Sequence, residues 1–313
     1  MSENTEATNE GFSFFEAVDP KIDDLLQIPH DPKKYGRPPL YKSKESALFL
    51  RKPPTSGIGP GLVSEILKVL EANWSRRSSS LTPSSKLWVP RIRTELDENF
   101  PPGEVPLERT LVDFFSFWRP LLGGGPDPEL MWFNQIPAAQ GLTSRYDGKI
   151  AVDLVCRTGV GRYDFIELKF PKTDWGETPL GAGMQLLKYG AAYLFAVRNL
   201  EALKNANYKP QLDGSVVNAT TTELLEASEV NLCILAPRHF YNGFDLGWLE
   251  TELNVGLHSL LADGRNYGKL GKIPFRFEYL KNSPFSVSEG NGFNFDFGRH
   301  HLTDWNPADP PAI

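Results

Sequence analysis

Cysteine is scarce: Cys156 and Cys233 are the only two in 313 residues. Both lie in apolar, strand-like runs without a CxxC neighbour, so they read as buried free thiols of a reducing compartment rather than as a disulfide framework. Long hydrophobic runs are missing as well. No stretch approaches the roughly 18 apolar residues that a membrane span needs, and the opening "MSENTEATNEGF" is polar and acidic, unlike a secretory segment. The expected location is therefore cytoplasmic, or nuclear in a eukaryotic source, where the sequon at Asn218 meets no glycosylating machinery. Positive charge is not in excess: 33 Lys and Arg stand against 39 Asp and Glu, a net of −6. Any nucleic-acid role must then rest on a local patch, or on metal ions that offset clustered carboxylates. There is no GxxxxGK[ST], since "SGIGPG" precedes no lysine–serine pair, and no GxSxG. These gaps argue against a phosphate-cradling ATPase loop and an α/β-hydrolase elbow. "RHHLTDW" holds His300, His301 and Asp304 but lacks a third close ligand, and is set aside as a metal site.

What is present is an ordinary globular composition, 40% apolar and 23% charged, long enough for a sizeable core. Residues 1–10 read as disordered, and 11–103 as an N-terminal arm and helical region. Within that region "DPKKYGRPPLYKSKES" is irregular, and "PGLVSEILKVLEANW" spaces Leu62, Ile66, Leu67 and Leu70 as a helix does. Residues 104–282 form the expected core. "VPLERTLVDFFSFWRP" is a helix opened by Pro106 and closed by Pro120, with Leu107, Leu111, Phe114, Phe115 and Trp118 as its buried stripe. Strands follow at 129–137, 149–156 and 162–170, then a helix at 178–203 with a weak start at its glycines. A strand at 229–237, a helix at 247–264 and a strand at 273–280 complete the order. Helix, three strands, helix, strand, helix, strand implies an α/β fold with a mixed central sheet flanked by helices. Residues 283–313 form a C-terminal extension rich in Gly, Asn and Pro.

Chemistry concentrates in the hairpin "GKIAVDLVCRTGVGRYDFIELKF", 148–170. A strand alternates faces with period two. Tyr163, Phe165, Glu167 and Lys169 thus share one face, and Asp164, Ile166, Leu168 and Phe170 the other. In the partner arm Asp153 lies on a face with Ala151 and Val155. Pairing through the turn at 158–161 can bring Asp153 close to Glu167. Two carboxylates at close range repel, and a divalent cation removes that penalty; oxygen ligands of this kind suit Mg²⁺. A lysine beside them can hold an attacking water or stabilise charge developing on a phosphate. On the next helix, Gln185 and Tyr189 are four apart and share a face.

Asp153, Glu167-x-Lys169 and Gln185-xxx-Tyr189, in that order on strand, strand and helix, resemble the PD-(D/E)xK nuclease superfamily. The Gln-xxx-Tyr element resembles its RecB-like branch. The resemblance covers about 104–280 and implies a restriction-endonuclease-like core. It also implies a metal-dependent nuclease hydrolysing phosphodiester bonds, most plausibly in DNA, with Mg²⁺ as cofactor and Mn²⁺ as a substitute. Asp153 and Glu167 would bind the metal, with the carbonyl of Leu168 and a first-helix glutamate, Glu108, as further ligands. Asp113 lies on the wrong side of that helix. Lys169 would serve the water, and Gln185 and Tyr189 would orient the site. One departure stands out: "GKIAVD" carries no proline before Asp153.

Phosphate contacts would come from basic groups. Lys172, three residues past the lysine, leads the candidates, with Arg145 and Lys188 beside it; Lys149, Arg157 and Arg162 are also near in sequence. Trp175 could stack on a base. The alternative is a catalytically inactive subunit of the same fold that binds nucleic acid or serves a larger assembly.

Overall fold

The computed structural model describes residues 11–29, 31, 33, 39–49, 57–84, 86–95, 103–113, 115, 131–144, 147, 150–170, 177–205, 224–280 and 299–301. The fold is α/β. Among the described residues its sheet has six strands in sequence order: β1 (Met131–Pro137), β2 (Ala151–Gly159), β3 (Arg162–Leu168), β4 (Glu229–Pro237), β5 (Phe275–Leu280) and β6 (Arg299–His301). The first three pair antiparallel, β3, β4 and β5 run parallel, and β6 is antiparallel at the edge. The sheet is therefore mixed, as expected. The parallel strand β4 is buried along almost its whole length, which is why "VNLCILAP" reads as an unbroken apolar run rather than an alternating one.

The helices are α1 (Val18–Leu25), α2 (Lys44–Phe49), α3 (Ile58–Ser75), α4 (Glu104–Asp113), α5 (Pro179–Arg198), α6 (Leu200–Asn205) and α7 (Gly247–Leu261). They cover both faces of the sheet. Phe133, Val155, Tyr163, Phe165, Ile234, Phe275 and Phe277 belong to a large apolar cluster with α1, α3, α5 and α7. Trp132, Leu154, Cys156, Ile166, Leu168, Cys233 and Leu235 form a smaller one with Leu107, Leu111 and Val112 of α4. The alternation read from β3 holds: Tyr163 and Phe165 enter the first cluster, Ile166 and Leu168 the second, and Phe170 packs beside it. Both cysteines are buried and form no disulfide among the described residues. No helix among the described residues is long and apolar enough to cross a membrane.

Several expectations change in detail. The segment before residue 50 is more than an irregular strap. Phe14, Val18, Ile22, Leu26, Leu40 and Tyr41 are all in the main cluster, so this part of the chain is core. The helix over 178–203 does not start weakly, nor is it continuous. Thr178 caps it by accepting the Gly181 N–H at 3.1 Å, Pro179 occupies the first turn, and it breaks at Asn199 into α5 and α6. Its glycines are buried contacts; Gly190, for example, lies against Leu232. In α4 the regular helix ends at Asp113; Phe115 is partly buried and stacks on Trp132, while Phe114, Trp118 and Pro120 lie outside the described residues. Most of the C-terminal extension also lies outside them, yet 299–301 contribute β6.

Candidate functional site

The site forms where β2 and β3 stop pairing. The last partnered residues at this end are Leu154 and Ile166, so one step further Asp153 and Glu167 stand opposite each other. Beyond them the ladder is closed by a side chain: the Leu168 N–H donates to Asp153 Oδ2 at 3.0 Å. Strand β3 continues against β4 for one more residue, through the Lys169 N–H to the Leu235 carbonyl at 2.9 Å. The lysine stem therefore leaves a fixed backbone. Its Nζ donates to Glu167 Oε1 at 2.6 Å and lies 2.8 Å from Glu177 Oε2.

Helix α5 closes the other side. Gln185 Nε2 donates to the same Glu167 Oε1 at 2.8 Å and reaches Tyr189 Oη at 3.1 Å. The Gln-xxx-Tyr spacing thus does what one helical turn allows: Gln185 reaches the carboxylate, and Tyr189, on the same helix face one turn on, accepts from Gln185. Asp153, Glu167, Lys169, Gln185 and Tyr189 are brought together.

Glu108 arrives from α4 and is 2% exposed. Its Oε2 accepts the Gln135 amide at 2.6 Å. Gln135 is a residue that sequence reasoning missed. It lies on β1 between the pairs Asn134–Leu154 and Ile136–Val152, at the level of Asp153. Its φ is +52°, a left-handed backbone that a glutamine adopts only at a cost of roughly 1–3 kcal/mol. No pattern in "MWFNQIP" signals that. Glu177 was missed too; it stands one residue before the Thr178 cap, where nothing but its acidity marks it.

The electrostatics follow from burial. Glu167 is 1% exposed and Lys169 2%; Asp153 is partly buried. Desolvation pushes the Asp153 carboxyl up to about 7, against the pull of Lys169 and the Leu168 N–H. Glu108 is likewise pushed up to about 7 by burial, against its amide partners. Glu167 is raised by burial and then by the Asp153 charge. For Lys169 burial acts downward, but Glu167 and Glu177 outweigh it and the ammonium is held above its usual range. Burial and the charge of Glu167 raise the Tyr189 phenol, which stays protonated.

Each buried glutamate has one oxygen tied by an amide and one left over. Glu108 Oε1 and Glu167 Oε2 are buried without a hydrogen-bond partner among the described residues. Buried carboxylate oxygens are rarely left unpaired without a reason, such as an ion they are meant to meet. Among the described residues, however, no group of three or more His, Cys, Asp or Glu side chains converges tightly enough to hold a metal on its own. The donor set fits Mg²⁺, which binds through one or two carboxylates and completes its shell with waters and substrate phosphate; it does not fit an all-protein cage.

The basic candidates fare differently. Arg145, Lys149, Lys172 and Trp175 lie outside the described residues. Lys188 is not an open phosphate contact: its Nζ is spent on Asp19 Oδ1 at 2.7 Å, and its side chain is 12% exposed. Tyr41 Oη donates to the same oxygen, and burial lowers the Lys188 ammonium. Arg157 and Arg162 sit at the opposite end of the hairpin, paired with Tyr163 and Gly159, about four or five strand residues and so roughly 13–16 Å from the acids. Compared with known proteins, the chain matches no family model, and no curated protein or solved structure shows significant similarity to it.

Proposed function

We propose that the protein is a metal-dependent nuclease that hydrolyses phosphodiester bonds in DNA on a restriction-endonuclease-like core. One observation carries this reading: two buried glutamates each keep an unpartnered oxygen, Glu167 next to a fixed lysine and Glu108 within electrostatic reach of Asp153. Asp153 and Glu167 would hold Mg²⁺ or Mn²⁺, joined by Glu108 Oε1 and, by resemblance, the Leu168 carbonyl. A cation there offsets the carboxylates and supplies Lewis-acid help to the phosphate.

The protein's own groups do the rest. Lys169, with two of its three N–H bonds directed at Glu167 and Glu177, turns the third toward a water or a phosphate oxygen. Gln185 fixes which oxygen of Glu167 is free. Tyr189, protonated, accepts the Gln185 amide and helps hold it against Glu167.

Cleavage of end-labelled DNA and RNA in Mg²⁺ or Mn²⁺ is the test. Lys169→Ala and Asp153→Asn should each lower the rate by at least ~100-fold. If wild-type protein cuts neither nucleic acid in either metal, the reading falls. The rival, a non-cleaving subunit of the same fold, then stands; it draws on the acidic net charge and on the lack of a three-carboxylate cage among the described residues.

A further inference from the structure

The lysine of the site is held by two acids that come from different elements. Glu167 precedes it by two residues on the sheet. Glu177 stands at the N-terminal edge of α5, one residue before the Thr178 cap. The Glu177 contact is no loose surface pair, because the Lys169 side chain is only 3% exposed and the Glu177 side chain 28%. The helix start fixes the acid's position, and its stem passes close to the first turn: Glu177 Cγ lies at van der Waals distance, 3.6 Å, from where a Cβ at Gly181 would be.

We propose that Glu177 is a positioning residue that keeps the Lys169 ammonium in place when Glu167 is engaged by a metal. This rests on the nuclease reading and deepens it. A carboxylate drawn toward a dication is a weaker partner for an ammonium, and the dication itself repels the ammonium. With Glu167 alone, loading the site would loosen the group that has to hold the water. Glu177 belongs to the helix edge and not to the carboxylates that face the metal, so its hold on Nζ persists. The same helix contributes Gln185, which holds Glu167 Oε1. Helix α5 therefore sets the geometry of both members of the Glu-x-Lys triplet.

Glu177→Ala, Glu177→Gln and Glu177→Asp test this in the full chain. At saturating Mg²⁺ and DNA, Glu177→Ala should slow single-turnover cleavage 10- to 100-fold. Glu177→Gln, which keeps an acceptor but loses the charge, should fall between it and wild type, and Glu177→Asp should recover part of the loss. Mn²⁺ affinity by calorimetry should stay within twofold, since a positioning residue is not a ligand. A second readout does not need cleavage. With ¹⁵N-lysine labelling, the Lys169 ammonium, assigned by its loss in Lys169→Arg, should give a slowly exchanging proton signal that disappears in Glu177→Ala. Wild-type cleavage rates in Glu177→Ala, or an unchanged ammonium signal in that variant, would overturn the proposal. Should wild-type protein cleave nothing, the nuclease reading fails, and with it the role in a metal-loaded site; the ammonium signal then decides only whether the clamp itself exists.

Discussion

Within the pocket, individual side chains are caught between burial and charge. Asp153 and Glu108 carry carboxyls pushed up to about 7, chiefly by desolvation. An acid whose folded pKa exceeds its unfolded value binds more protons folded than unfolded between about pH 4 and 7. Stability from these groups is therefore greatest near or below pH 4, declines as pH rises through that window, and levels off above pH 7. The metal-free protein should melt several degrees lower at pH 8 than at pH 5 by scanning calorimetry, and Glu108→Gln should flatten that difference. Mn²⁺ should raise the melting temperature more at pH 8 than at pH 5, because a cation takes the place of the protons that burial demands. Glu108→Gln should also weaken Mn²⁺ binding several-fold in a calorimetric titration while leaving Lys169 in place; equal affinity would remove Glu108 from the ligand set.

Among the elements, helices α3 and α7 cross at unusually close range. A Cβ at Gly59 would come within 1.7 Å of the Glu252 carbonyl oxygen, and one at Gly256 within 2.3 Å of the Gly59 carbonyl oxygen. Neither backbone can give way cheaply. Glu252 reinforces the crossing by accepting the Gly57 and Gly59 N–H groups at 3.0 and 2.8 Å, so a side chain of α7 satisfies the free end of α3. Gly256→Ala should destabilise the fold by about 2–3 kcal/mol, read from urea unfolding with an unchanged slope. Neither glycine is part of the Asp153–Glu167–Lys169 cluster, so cleavage by the folded fraction should be unaffected.

On the scale of the molecule, one buried acid helps tie the chain before the sheet to it. Asp147 is 1% exposed and accepts the Phe14, Thr143 and Ser144 N–H groups and the Thr143 hydroxyl. This bond set joins residues 133 positions apart and seats Phe14 edge-on against Phe195 of α5. Asp147→Ala leaves several buried donors unsatisfied and should cost about 3 kcal/mol, measured by chemical denaturation. Removing residues 1–28 strips Phe14, Val18, Ile22, Leu26 and Ile28 from the main cluster and should give protein that does not fold to a cooperative unit. A stable, cooperatively melting truncation would contradict this placement of the N-terminal helices.

The sequence by itself determined the α/β order, the strand at 229–237 and the side-chain alternation in β3. It also determined which residues would gather: period-two and period-four spacing put Glu167 and Lys169 on one strand face and Gln185 and Tyr189 on one helix face, and the hairpin carried Asp153 to them. Those are local consequences of strand and helix geometry. Only the tertiary structure decided what meets across long separations. Glu177 reaches Lys169 because the cap at Thr178 fixes where α5 begins. Gln135 reaches Glu108 through a left-handed backbone that no residue pattern announces. Lys188, basic and near the site in sequence, is lost to phosphate because α1 brings Asp19 to it. Spacing along the chain sets the direction of a side chain, but its partner is set by which distant element packs against it.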